Sequence, residues 1–502
     1  MGALALLAAA WFSPRVVPYN MDEFVHYHAL GCATAADAQA LPSIRDGCGY
    51  FDLRLPFTTT PLPLRAYYYI GSIPALPFYP FWRLVDDPVA ARLAGACWFL
   101  VSTLLAGRLL GVGASSILTA SLVFPVWLGT FLVDEGPVAL SVVLLLSAFL
   151  AERRALQAPA SGASAVWAAA AGLALFLGLW TKLVFAWWLP TVAIFVLEEA
   201  RRQGQSLAAA ARSRLPALVA GAAFLAVPTT LLLASVDRDG QPYAAALRQG
   251  GLSTEPEDVE AVALRLVRYV VDGSLVAPRN LLLPASRLDV LPLLLSAVLL
   301  VLGWRRAASR RAMATWAILS ALTFAFVAAS GHSRWPHHFA FPLLPLVLAL
   351  ALACEGLARR ERLATFALVA VFWATLGARL PEARTPAESS VDKDRLLAFV
   401  RDRGLDRESL QVHASWGTYY IAQLFGDPAR MVVYARRVVD DPARLSQMAE
   451  LARATGRPVL LLSSRRFERL HTPAVEAAFG RPQHTWQFGS WWAVEYHPPP
   501  RD

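Results

Sequence analysis

The chain has 502 residues, 56% of them hydrophobic, and a formal net charge of +9. A mean hydropathy of +0.44 is too high for a soluble globular protein, and the apolar runs are long enough to span a bilayer. The positive charge is almost wholly arginine, with lysine only at Lys182 and Lys393. The arginines cluster between apolar runs, a topogenic pattern that argues against nucleic-acid binding.

The chain opens on an apolar run, Met1 to Ser13, that is short for a spanning helix. An upstream start or an extension through Val17 would lengthen it. Directly after it comes Asn20-Met21-Asp22-Glu23-Phe24-Val25-His26-Tyr27-His28. If 22–32 is helical, Asp22 and His26 share a face at i, i+4, with Glu23 beside them. A carboxylate held where a membrane helix leaves the bilayer can take a proton from an incoming hydroxyl. The bland alternative is a solvated helix start with acids toward the dipole's positive end.

Residues 14–88 are rich in Pro, Tyr, Phe and Arg, which suits helices lying on the membrane surface rather than one straight span. Spans are predicted at about 89–108, 114–132, 137–151, 165–180, 183–198, 214–235, 288–304, 312–330, 339–357 and 363–380, about eleven with the first helix. Under this count Arg153-Arg154, Arg201-Arg202, Arg212, Arg214, Arg305-Arg306, Arg310-Arg311, Arg359-Arg360 and Arg362 all fall on one side, which the positive-inside rule makes cytoplasmic.

The outer side then receives residues 14–88, Asp134-Glu135, Lys182, the loop 236–287, Gly331 to His338 and the C-terminus. Asp134-Glu135 has two readings: a turn whose acids cap the next helix, or part of an acidic site shared with Asp22-Glu23. Lys182 interrupts a long apolar stretch, where it is either a snorkelling helix tip or a point charge for a phosphate. Gly331-His332-Ser333-Arg334-Trp335-Pro336-His337-His338 offers a guanidinium and three imidazoles; anion binding by Arg334 suits it better than a zinc site. Cys97 and Cys354 lie in apolar runs and read as core, whereas Cys32 and Cys48, which this topology puts on the outer side, are either two free thiols or, the favoured reading, a bridge contributing about 3 kcal/mol.

From about 381 the composition becomes that of a soluble domain. It has an amphipathic helix at 391–403, a strand at 410–413, a helix at 441–454, a strand at 458–462 and a closing hairpin around Gly489. This predicts a small α/β domain, 381–502, after a membrane domain, 1–380. The fold class is mainly α: a polytopic transmembrane helical bundle with membrane-surface helices in the first outer loop and the small C-terminal α/β domain. The aromatics Trp416, Tyr419, Tyr420, Trp486, Trp491 and Trp492 form either that domain's core or a glycan surface, the core reading being favoured.

The acidic pair after the first helix, the segment Pro61-Leu62-Pro63-Leu64-Arg65-Ala66-Tyr67-Tyr68-Tyr69, the acidic turn after the third helix and Thr181-Lys182 at a hairpin tip together resemble the GT-C membrane glycosyltransferases. The resemblance is to glycosyltransferase family 39, the protein O-mannosyltransferase and aminoarabinose transferase group, over residues 1–380. It implies a multi-pass protein of a bacterial inner membrane, with the C-terminal domain on the periplasmic side. It also implies inverting transfer of a sugar from a polyprenyl-phosphate donor to an acceptor there: a lipid, a glycan or a protein. Asp22 would be the base, Glu23 its neighbour, and Asp134 or Glu135 the second acidic group. Lys182 and Arg334, with His337 and His338, would hold the donor phosphate. With a monophosphate donor these cations suffice, whereas a diphosphate would make Mg²⁺ or Mn²⁺ more plausible. The competing reading is a transporter or lipid flippase, for which broken helices and midplane charges are expected.

Overall fold

The computed structural model describes residues 2–27, 30, 51–53, 62–67, 70–134, 136–158, 162–215, parts of 219–230, 258–271, 283–284, 286–306, 310–329, 336–385, 390–426, 430–434, 441–464 and 471–499. The chain divides into two compact units. The first is Met1–Ala10, Arg92–Ala234 and Ala244–Arg384; the second is Trp11–Ala91, Ser235–Tyr243 and Thr385–Asp502. The second unit is therefore larger than the 381–502 segment that composition alone delimits.

The helices up to residue 213 are, in chain order, α1 (Gly2–Phe12), α2 (Ala75–Leu84), α3 (Val89–Leu110), α4 (Ala114–Val123), α5 (Pro125–Leu132), α6 (Val138–Gln157), α7 (Gly162–Thr181), α8 (Leu189–Arg202) and α9 (Leu207–Ser213). They continue as α10 (Val259–Val271), α11 (Leu291–Arg306), α12 (Arg310–Ala329), α13 (Ala340–Glu355) and α14 (Arg359–Arg379). Among the described residues, six helices are long and apolar enough to cross a membrane, or seven if α4 and α5, bent by 100°, count as one. The proline opening α5 explains that break, since it cannot donate into a continuous ladder and pushes the preceding residue to extended backbone. The expected count of about eleven exceeds this because α1 has 11 residues and α13 has 16, while α6 carries Glu152, Arg153 and Arg154. The 214–235 span lies largely outside the described residues.

Within the first unit, ion pairs tie the arginine-bearing helix ends together. Arg153 reaches Glu199 at 3.2 Å, Arg214 reaches Glu152 at 3.1 Å and Arg311 reaches Glu198 at 2.8 Å. Ser116 at the start of α4 donates to Glu355 at the end of α13 at 2.6 Å. Between the ends, α6 and α13 are buried along most of their length, as expected of helices apolar all round. Gly303 matters here: a Cβ on it would fall 2.5 Å from that of Ala353, so α11 and α13 touch backbone to backbone. Cys354 is buried and Cys97 partly so, in keeping with core roles.

The second unit corrects two expectations about the first loop. Residues 14–88 are not simply surface helices: β1 (Phe51–Leu53), β2 (Leu62–Tyr67) and β3 (Ile70–Gly71) form an antiparallel sheet. Among the described residues of this stretch, only α2 is a helix longer than one turn. Strand β2 carries the period-two set Leu62, Leu64 and Ala66, which Pro61 and Pro63 obscure in the sequence. Pro63 is tolerated because it lies near the strand's start, short of β3, which pairs with Arg65 and Tyr67. The second correction concerns 22–32: Met21–Glu23 is a single 3-10 turn, so no α-helix begins at Asp22. The residues Cys32 and Cys48 lie outside the described residues.

The same unit is completed by a mixed sheet and four longer helices. The strands are β4 (Leu410–His413), β5 (Met431–Tyr434), β6 (Val459–Ser463), β7 (Pro482–Phe488) and β8 (Trp491–Tyr496), ordered β5-β4-β6-β8-β7. The helices are α15 (Val391–Asp402), α16 (Trp416–Leu424), α17 (Pro442–Thr455) and α18 (Pro473–Phe479). Strands β5, β4 and β6 are parallel, whereas β8 runs antiparallel to β6 and to β7. Every residue of β4 and β6 is buried, the mark of central strands covered on both faces. Helices α17 and α18 cover one face through Met448, Val475 and Phe479. On the other face, α15 packs Leu396 and Val400 against Leu460, Leu462 and Trp491. Gly489, at φ +56°, makes the β7–β8 turn. Tyr419, Tyr420 and Trp491 are buried, while Trp416, Trp486 and Trp492 are half-buried, so the aromatic set belongs mainly to the core.

Candidate active site

The acidic turn belongs to the second unit. Asn20 is its N-cap, with its side chain accepting from the Asp22 N–H at 3.4 Å, while the Glu23 carboxylate accepts from the Asn20 N–H at 2.8 Å. This reciprocal pair is a capping box. Glu23 is 1% exposed, whereas Asp22, on the same turn, is half-buried. The two carboxylates thus differ: Glu23 holds the backbone and Asp22 keeps a solvent-accessible face. Because the chain here is a 3-10 turn, Asp22 and His26 do not share an α-helical i, i+4 face. His26 is fully buried, with its ring 3.9 Å from that of Tyr27. Phe24 fixes the turn by packing edge-on to Tyr19 at 5.7 Å and to Phe425 at 6.0 Å.

Asp134 and Lys182 belong to the first unit. Asp134 Oδ1 accepts the N–H groups of Val138 at 2.9 Å and Ala139 at 3.2 Å, two of the first donors of α6. Gly136, at φ +80°, provides the turn that brings this carboxylate back over the helix start. The capping reading of Asp134 is therefore seen in the geometry. Glu135 lies outside the described residues.

Lys182 follows α7 at φ −155°, ψ 124°, and caps a 3-10 helix, Leu183–Trp188. Gly178 allows that corner, because a Cβ there would sit 2.4 Å from the Phe185 ring. The Lys182 N–H still donates to the Gly178 carbonyl at 3.1 Å, and its own carbonyl accepts from Phe185 at 2.9 Å. The residue is 1% exposed, so it does not snorkel out of the bundle. A buried ammonium costs several kcal/mol unless anionic or polar groups face it.

The 3-10 helix after Lys182 packs against the start of α13. Trp187 meets the His338 ring edge-on at 5.2 Å, and Trp188 donates to the Phe341 carbonyl at 3.0 Å. His338 is 4% exposed. His337 lies in the turn Pro336–Phe339, and Arg334 is outside the described residues. Sequence reasoning overlooked Arg92, fully buried in the first turn of α3, and Asp289, 1% exposed and paired with Arg379. The signal for Arg92 was a lone guanidinium inside Val89-Ala90-Ala91-Arg92-Leu93-Ala94.

Among the described residues, no group of three His, Cys, Asp or Glu side chains is placed to hold a metal ion. Glu23 and Asp134 each accept backbone N–H groups through one carboxylate oxygen.

No protein-family model matches the chain, and no curated protein matches it in sequence. Among solved structures it is similar to apo ArnT from Cupriavidus metallidurans, at 14% identity and a TM-score of 0.33 over 98% of this chain and 97% of that one. It is likewise similar to the Archaeoglobus fulgidus oligosaccharyltransferase with Zn and sulfate, at 13% identity and a TM-score of 0.41 over 91% of this chain and 67% of that one. The oligosaccharyltransferase AglB of the same organism, with an inhibitory peptide and a dolichol-phosphate, matches at 13% identity and a TM-score of 0.39, over 92% of this chain and 69% of that one.

Proposed function

We propose that the chain is an integral-membrane glycosyltransferase moving a sugar from a polyprenyl-phosphate donor to an acceptor on the outer face of a bacterial inner membrane. The observation that carries this reading is Lys182: a buried cation at the end of a membrane helix, next to the contact of Trp187 with His338 and away from the arginine end. The motif order in residues 1–380 supports the same reaction. The domain 381–502 then stands on the periplasmic side, because the arginine-bearing ends are the cytoplasmic ones.

In this mechanism the acceptor hydroxyl oxygen attacks the anomeric carbon from the face opposite the phosphate. The carbon–oxygen bond to the phosphate breaks, the configuration inverts, and the lipid phosphate leaves with the electron pair. Asp22 takes the hydroxyl proton. Lys182, Arg334, His337 and His338 offset the charge growing on the phosphate. Glu23 keeps the turn in shape, and Asp134 or Glu135 serves as the second acidic group.

The test is incubation of membranes with radiolabelled polyprenyl-phosphate sugars, comparing wild type with Asp22→Asn. Label transferred by wild type and lost in the variant supports the reading, and equal transfer by both removes Asp22 from it. The 100° break between α4 and α5 favours a second reading, a lipid-linked sugar transporter. That reading requires intact donor to cross proteoliposomes with no sugar transferred.

A further inference from the structure

The chain has two lysines, and the second, Lys393 in the first turn of α15, is fully buried. Lys393 Nζ donates to the carbonyl of Tyr19, three residues before Asp22, and lies 3.2 Å from Asp394 Oδ1. The other oxygen of Asp394 accepts the Tyr19 N–H at 3.2 Å. Adjacent residues of α15 therefore hold both backbone groups of Tyr19, from 374 and 375 positions further along the chain.

The hold is braced on both sides. Toward the sheet, Ser390 caps α15 by accepting from the Lys393 N–H at 3.2 Å, and Trp491 of β8 donates to the same Ser390 hydroxyl at 2.9 Å. Gly489 lets the β7–β8 turn approach α15 closely, since a Cβ there would fall 2.1 Å from Asp392 Oδ2. Toward the acidic turn, Tyr19 leads into Asn20, whose N–H donates to Glu23 and whose side chain accepts from the Asp22 N–H. Trp82 also donates to the Leu424 carbonyl at 2.8 Å, fixing α2 to α16 within the same unit.

We infer that Lys393 and Asp394 are positioning residues: the C-terminal α/β fold serves to hold the backbone that carries Asp22. The inference rests on the proposed role of Asp22 for its catalytic consequence, while the hold itself does not depend on it. A buried lysine bonded to a main-chain carbonyl and an adjacent carboxylate fixes a backbone position more firmly than surface pairs do.

The test is hydrogen exchange by mass spectrometry on the full-length protein in detergent, wild type against Lys393→Met. Amides in peptides covering residues 16–27 should exchange roughly tenfold faster, with those of β4 and β6 unchanged. Unchanged exchange in 16–27 overturns the inference whatever the reaction is. If Lys393→Met loosens the whole unit, Asp394→Ala replaces it, because that side chain is 23% exposed and tolerates truncation. Local acceleration again supports the hold, and its absence overturns it. In the transfer assay, a fall in kcat with the donor KM unchanged is the expected result. A raised donor KM with unchanged kcat would overturn positioning. Transfer that wild type itself fails to show overturns the proposed function alone, leaving the exchange result to decide the hold.

Discussion

Asp134 and Lys182 lie at the same end of the antiparallel hairpin formed by α6 and α7, one just before the first helix and the other just after the second. Both helices have 20 residues and only residues 158–161 join them, so the chain returns to its starting level. Both residues are buried, at 6% and 1% exposure. An anion and a cation brought to one level of an apolar bundle give that end a defined polarity, opposite to the arginine end.

Lys182→Ala should raise the donor KM by roughly tenfold or more, the weight of one charge-assisted contact to phosphate. Lys182→Arg should restore only part of the activity, because a planar fork does not fit a site shaped for a compact ammonium. Steady-state kinetics with a polyprenyl-phosphate sugar checks this; an unchanged donor KM in Lys182→Ala removes it from the donor site.

For Asp134 the capping bonds predict a stability effect separable from chemistry. Asp134→Ala leaves two N–H groups of α6 without their acceptor and should cost about 1 kcal/mol, seen as a lower Tm. Asp134→Asn keeps an acceptor oxygen and should hold Tm near wild type. If Asp134→Asn loses transfer at an unchanged Tm, the charge serves catalysis; if activity persists, capping is its whole role.

Within the acidic turn the same separation applies. Asp22→Asn should reduce transfer by about a hundredfold or more with folding intact, since the side chain is half-buried and the change is isosteric. Glu23→Gln retains an acceptor for the Asn20 N–H and should be mild, whereas Glu23→Ala opens the capping box at a cost of about 1 kcal/mol. Transfer rates beside exchange of the 16–27 amides distinguish the two positions.

Sidedness follows from the ion pairs that gather Arg153, Arg214 and Arg311 at one end of the first unit. If that end is cytoplasmic, an alkaline phosphatase fused after Asp502 should be active and a cytoplasmic fluorescent reporter there should be dark. The reverse pattern would move every outer assignment to the inside.

Local pattern carried much of the fold. The helix at 391–403, the strands at 410–413 and 458–462, the helix at 441–454 and the hairpin at Gly489 were legible because periodicity and turn chemistry agree there. Of about eleven expected spans, six helices, or seven with the bent pair as one, were legible among the described residues as long apolar runs. The 3-10 turn at Met21–Glu23 was not, because its shape depends on an Asn20–Glu23 bond and on Phe425, far along the chain. The strands at 51–71 were hidden by prolines that strand starts tolerate. Lys393 gave a compositional hint by its rarity, but its partner Tyr19 is a long-range contact that no local pattern encodes.

His413 makes the second unit sensitive to acid. Its ring is fully buried at the end of β4, with Nδ1 2.8 Å from Thr418 Oγ1 and Nε2 3.3 Å from Gln411 Oε1. The amide oxygen can only accept, so Nε2 carries the proton and Nδ1 is the acceptor for the threonine hydroxyl. Burial lowers its pKa from 6.5 to about 3, since a charged imidazolium would lose its hydration and both of these ring partners are neutral. The sign follows directly. Above pH 6.5 both folded and unfolded chains hold a neutral ring, and the full stability is present. As the pH falls below that, the unfolded chain takes up a proton that the folded one refuses, and stability is lost progressively until about pH 3. Between about pH 7.5 and 4.5 the loss should reach about 2–3 kcal/mol. His413→Gln should be less stable at neutral pH yet show a smaller drop over the same interval. Exchange of the β4 and β6 amides against pH in both proteins checks this: equal pH slopes would assign the acid sensitivity to other groups.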